Sequence, residues 1–186
     1  MNEPSWLTIA RGEIGVSEVD GDIDNLRIIQ YLRTCRIPDG IATHDEVPWC
    51  SAALNFCFAA AGYEGTRSLL ARSWLDYGRP ISKPRLGCVT VLARGLSWQA
   101  HAGLWLGEDA GCVNLLSGNN KNGFNNDWFV KSRVLGYRWP MVIDVVMAGQ
   151  RRVVWRGGDY DSFKYLEGRE AAVTCYSRFV QKVNKG

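Results

Sequence analysis

The run Cys50-Ser51-Ala52-Ala53-Leu54-Asn55-Phe56-Cys57-Phe58-Ala59-Ala60-Ala61-Gly62 carries no charged residue, is rich in alanine and ends on a glycine suited to a left-handed helix cap. A helix that is apolar nearly all round has no face to offer water, so it must run through a core. The chain can build one. Its 186 residues are 46% apolar and 22% charged, which is globular composition and excludes wholesale disorder or a fibrous repeat. Pro48 sits just before the run, where a helix entry tolerates proline, so Cys50 falls in the first turn.

The elements around this helix change character along the chain. Trp6, Ile9 and Ala10 recur at near-helical spacing until Gly12 and Gly15 interrupt. Asp24 or Asn25 can cap a second helix in which Leu26, Ile29 and Leu32 repeat and Ile28 widens the stripe. Residues 36–48 read as a polar loop, and a short helical stretch follows near Ser68 to Tyr77. Beyond it, Cys88–Leu92, His101–Leu106, Cys112–Leu116 and Arg133–Arg138 are short, β-rich and separated by turns. Helices first and consecutive strands after predict an α+β fold with an antiparallel sheet. Residues 141–186 read as a basic extension to a 1–140 domain, with a hairpin of Val142–Met147 and Arg152–Trp155 and a helix over Ser162–Val183.

A thiol at the start of a buried helix meets unpaired backbone N–H groups and the positive end of the dipole, which favour the thiolate. Amide cleavage also needs an acid for the leaving amine, and histidine suits that task near neutrality. His101 opens a predicted strand, and the next strand ends in Leu116-Ser117-Gly118-Asn119-Asn120. If the two strands pair through a turn at Glu108–Gly111, Asn119 returns toward His101 and can orient its ring. Cys50, His101 and Asn119 then make a coherent cysteine-hydrolase site. Each also has a plain structural reading: a packed thiol, a satisfied core histidine, a turn asparagine. Trp49 and Trp98 flank the reactive residues and can line a groove or fill the core. Asp45 and Glu46 can orient the loop, cap the Cys50 helix or hold a substrate ammonium. Six scattered cysteines without a C-x-x-C pair give no structural zinc pattern and read mostly as buried, reduced thiols.

Five segments carry a resemblance: Asp45–Ala52, Ala71–Gly78, His101–Leu104, Leu116–Asn120 and Leu135–Pro140. In order and spacing they resemble a phage-type branch of the NlpC/P60 and CHAP superfamily, over a span from about Trp6 to Pro140. The resemblance implies a papain-like fold and hydrolysis of a peptide or amide bond in peptidoglycan. It implies Cys50 as nucleophile, His101 as base and acid, and Asn119 as the polar third member. Departures are Ala100 for a glycine, Cys88 for an acidic residue, Asn120 for a glutamine, and Ser117 where CHAP relatives often carry glutamate. Trp49, Trp98, Glu46 and Asn120 are the candidate substrate contacts.

The expected activity is therefore that of a wall-lytic endopeptidase or amidase of the endolysin kind, without metal or organic cofactor. Its expected partner is peptidoglycan, with no nucleic acid and no membrane span, and the chain is expected to be a monomer. No apolar run approaches a membrane-span length, and the opening Met1–Trp6 lacks the pattern of a secretory leader, so the expected setting is the host cytoplasm until release onto the wall. Residues 151–186 hold eight basic against four acidic side chains, while the first 150 are nearly balanced, so the excess of +3 belongs to the tail. The alternatives are an inactive wall-binding module that uses this charge, and a cysteine hydrolase toxin acting on another amide.

Overall fold

A computed structural model describes residues 3–21, 23–37, 44–147 and 150–156, those from 142 onward by backbone alone. Three helices come first: α1 (Ser5–Gly12), α2 (Leu26–Leu32) and α3 (Cys50–Ala60). A 3-10 segment, Ala71–Asp76, leads to β1 (Arg79–Ile81), β2 (Val89–Ala93), β3 (Ala100–Glu108), β4 (Cys112–Asn120), β5 (Gly123–Val130) and β6 (Val134–Trp139). These strands form one antiparallel sheet in the order β1-β6-β2-β3-β4-β5. The fold is α+β, as the order of periodicities predicts.

The buried helix lies where its composition demands. In α3, Cys50 to Asn55, Cys57 and Phe58 are buried, and the helix contacts α1 and α2 as well as β3 and β4. Leu54, Phe58, Ile28, Leu7, Val91 and Leu104 belong to the same apolar cluster, each fully shielded. A buried leucine or phenylalanine contributes about 1.5–3 kcal/mol relative to exposure. The two polar residues inside α3 are satisfied by the segment that follows it. The Ser51 hydroxyl donates to the Ser68 carbonyl (2.6 Å) and accepts from the Trp74 indole N–H (2.9 Å). Asn55 accepts from the Arg67 backbone N–H at 2.7 Å and donates to the Ser68 carbonyl at 3.2 Å.

In α2 the Asn25 side chain accepts from the Arg27 N–H and caps the helix. Its buried residues are Ile28, Ile29, Tyr31 and Leu32, whereas Leu26, expected in the stripe, is 75% exposed. Tyr31 takes that inner place because its hydroxyl reaches Glu13 at 2.6 Å, a partner invisible to apolar periodicity.

Two strands escape the sequence pattern. β1 has three residues, one of them Pro80, and lies at a sheet edge where proline is tolerated. β5 begins Gly-Phe-Asn-Asn-Asp, poor strand formers, and lies at the other edge. It pairs with β4 through a two-residue turn, Lys121-Asn122, with φ of 53° and 60°, as a type I′ hairpin requires. Leu92, Val113 and Leu115 make a second, smaller apolar cluster with Trp105, Phe129 and Val134.

After Pro140 the chain forms the expected hairpin, β7 (Met141–Met147) with β8 (Gln150–Arg156), a separate two-stranded sheet. The turn at 148–149 and the helix expected over 162–183 lie outside the described residues. Among the described residues no helix is long and apolar enough to cross a membrane.

Candidate active site

Cys50 is the first residue of α3, behind Trp49, which caps it without a side-chain hydrogen bond. The backbone N–H groups of Ala102, Ser51 and Cys50 itself and the charge of Arg94 act on its ionisation. All four favour the thiolate. The residue is only 5% exposed, however, and burial pushes the thiol pKa up despite them. The expectation of a resting thiolate is thus corrected: the helix terminus supplies donors, but the closed site costs the anion more hydration than they return.

The Ala102 contact carries the geometry. Ala102 follows His101 in β3 and packs with Cys50 in the cluster around α3, whereas the His101 ring packs on Phe129 of the second cluster, as strand alternation requires. No hydrogen bond joins the sulfur to the imidazole among the described residues. The β3–β4 ladder runs from Leu104↔Leu116 to Glu108↔Val113 and stops short of His101–Gly103. The opening of the ladder leaves the Ala102 N–H for the thiol.

His101 is 4% exposed, and its Nε2 is 2.9 Å from the Ser117 hydroxyl. Its ring packs on Phe129 with centroids 5.5 Å apart. Burial, followed by the charges of Arg94 and Arg133, pushes its pKa down to about 4. The imidazole is therefore neutral near neutrality. Ser117 engages Nε2, and Nδ1 has no hydrogen bond among the described residues.

Asn119 does not hold the ring. Its amide donates to Glu18 Oε1 at 3.0 Å, and its backbone is left-handed, with φ of 54°. The cause is a bulge: Ser117 pairs with Asn125 and Asn120 with Gly123, so β4 carries one residue more than β5 between these pairs. Strand alternation would set Ser117 and Asn119 on one face, and the bulge separates them. Glu18 also accepts the Trp49 indole N–H at 2.8 Å and so ties the start of α3 to the bulge. Neither Ser117 nor Glu18 was among the expected site residues. Strand parity pointed to Ser117, two positions before Asn119, but no spacing announces Glu18, which is 101 residues from its partner Asn119.

The expected substrate contacts divide. Trp49 is fully buried against Tyr31 and Phe124, and Asn120 is buried with its amide on Asn125, so neither lines a groove. Trp49 is pinned by the packing of the bulge: a Cβ on Gly118 would run into its ring and lie 2.6 Å from Ala53. Glu46 is exposed, and Trp98 is 61% exposed. Asp45 orients its loop, since its buried carboxylate accepts from the Val19 and Asn25 N–H groups at 3.0 and 2.8 Å. Among the described residues no group of three His, Cys, Asp or Glu side chains is arranged to hold a metal ion. No protein-family model matches the chain, and neither does any curated protein.

Proposed function

We propose that the chain is a papain-like cysteine hydrolase of the NlpC/P60 and CHAP kind that cleaves an amide bond in peptidoglycan, as an endopeptidase or N-acetylmuramoyl-L-alanine amidase. The single observation that supports this reading is Cys50 as the first residue of a buried helix, packed in one cluster with the strand residue that follows a buried, hydrogen-bonded histidine. A purely structural thiol needs neither the donors nor the neighbour.

Because both groups rest uncharged, the proton leaves the thiol as the reaction begins. His101 takes it at Nδ1 while the sulfur attacks the amide carbonyl, and the N–H groups of Cys50 and Ser51 stabilise the developing oxyanion. Collapse breaks the C–N bond, and the imidazolium returns the proton to the departing amine, leaving a thioester on Cys50. Water, deprotonated by His101, then hydrolyses the thioester and restores the thiol. Ser117 serves as the orienting third member in place of Asn119. The proposed setting is release onto the bacterial wall from the cytoplasm of an infected host.

Purified protein added to isolated sacculi tests the reading. Wild type lowers the turbidity and Cys50→Ala does not, with the variant's folding verified by circular dichroism. Equal lysis by Cys50→Ala, or none by wild type, refutes it.

A further inference from the structure

The edge strand β1, at the opposite end of the sheet from β5, opens onto a basic depression. It encloses about 430 Å³ and is lined by Arg79, Pro80, Ile81, Ser82, Lys83 and Arg85. No carboxylate lines it, and none of its three cations makes an ion pair among the described residues. The frame is fixed at both ends. Gly78, left-handed with φ of 56°, brings the chain so close to Trp139 that a Cβ would collide with its carbonyl. At the other end the Trp6 indole N–H donates to the Gly87 carbonyl at 2.8 Å, and the Cys88 N–H donates to the Arg85 carbonyl at 2.9 Å. Pro80 and Pro84 stiffen the stretch between them. The Arg85 side chain is held as well. Its guanidinium lies over the Trp139 ring, 3.2 Å from the centroid, and Trp6 packs edge-on against the same ring at 5.2 Å. Burial, followed by the charge of Arg79, lowers the Arg85 pKa, and no carboxylate offsets either.

Three cations held around one depression without a counter-ion repel one another, and a bound anion relieves that repulsion. Their charge exceeds what one carboxylate neutralises. Two guanidinium forks, an ammonium and the Ser82 hydroxyl together match the oxygens of phosphate. An open site holds a single phosphate weakly, whereas a repeating chain presents several at once. A nucleic acid would also need rings on which its bases stack. No aromatic residue lines the depression, and the Trp139 face beside it is covered by Arg85. We infer that the β1 edge is a binding site for the phosphates of a base-free polymer, a chain of polyol units joined by phosphodiesters. Arg79, Lys83 and Arg85 hold successive phosphates, and Ser82 adds a neutral donor. The site lies three strands from His101 in the order of the sheet. It needs neither Cys50 nor amide cleavage, and it serves to retain the chain on such a polymer.

The test titrates the full chain into fluorescently labelled poly(glycerol phosphate), read by anisotropy, with single-stranded DNA of equal phosphate number in parallel. Wild type should bind the polyol chain with an affinity that falls steeply as salt rises. Lys83→Gln and Arg85→Gln should each weaken binding roughly tenfold and lower the slope of log affinity against log salt by roughly one, while Arg85→Lys keeps most of that slope. Lys83 is exposed and joins no ion pair among the described residues, so its variant separates binding from folding. Arg33→Gln, which removes an exposed charge at the C-terminal end of α2, is the control. Equal losses in Arg33→Gln reduce the effect to net charge and overturn the inference, as does a folded wild type that does not bind the polyol chain. Tighter binding of DNA that depends on Lys83 and Arg85 overturns the base-free assignment. Cys50→Ala should bind as wild type does, and loss of binding there would contradict a separate site. Polymer binding without lysis of sacculi upholds the site and removes the hydrolase reading alone.

Discussion

The burial of His101 makes a prediction about stability that involves no substrate. Its ordinary pKa of 6.5 falls to about 4 in the folded chain. Between those values the unfolded chain binds a proton that the folded one refuses. Stability therefore rises with pH across this window, and His101's contribution is lost as pH falls from above 6.5 toward 4. At 1.36 kcal/mol per pH unit, the interval corresponds to about 3 kcal/mol. Replacing the ring by His101→Gln has its own cost at neutral pH, but it removes this pH-dependent part. The assay is urea unfolding of wild type and His101→Gln at a series of pH values down to the acid limit of folding. Wild type should lose about 3 kcal/mol more than the variant between the ends of the window. Parallel curves would refute the reasoning, because they would mean that the folded site protonates as readily as the open chain and that the resting imidazole is not held neutral.

Other substitutions test separate parts of the account. Gly118→Ala drives a methyl into Trp49 and Ala53 and should cost about 1–3 kcal/mol in urea unfolding while slowing Cys50 alkylation, since the start of α3 must shift. Ser117→Ala should lower kcat roughly tenfold or more with little change in KM, whereas Asn119→Ala should weaken the Glu18 tie and reduce stability by about 1 kcal/mol without altering the pH profile of the reaction. Equal kinetic effects of the two would contradict the placement of the third member. Glu13 is held below the usual carboxylate range by its hydrogen bond to Arg27. Its stabilisation is therefore present above pH 4.5 and fades as pH falls below it, and Glu13→Gln should abolish that acid-side loss in thermal melts.

What the sequence disclosed follows the physics of each element. The charge-free run from Cys50 to Gly62 announced a core helix because nothing else can bury it, and the shift from helical spacing to short β-rich segments announced the sheet. The hairpin after Pro140 was legible from two apolar runs flanking Ala148-Gly149-Gln150. Strand β5 was not, because Asn125, Asn126 and Asp127 are poor strand formers that pair only when β4 supplies the ladder. The proposed pair came from a thiol at a helix start and a histidine at a strand start, which are local signals. The third member did not, because strand parity points to Ser117 and Asn119 alike and only the bulge separates them. Glu18 reaches Asn119 and Trp49, and Arg133 reaches Ala93, through contacts distant in sequence that no periodicity records. The thiolate expectation failed for a further reason: the helix terminus is a property of the sequence, whereas burial belongs to the assembled core.

The central claim is that Cys50 and His101 together hydrolyse an amide of the wall polymer. Mass spectrometry of the muropeptides released from purified sacculi tests it most directly. The account predicts fragments that have each gained one water at a single kind of amide bond with wild type, and none with Cys50→Ala or His101→Ala. The same fragments from either variant, or an unaltered polymer with the folded wild type, would contradict it.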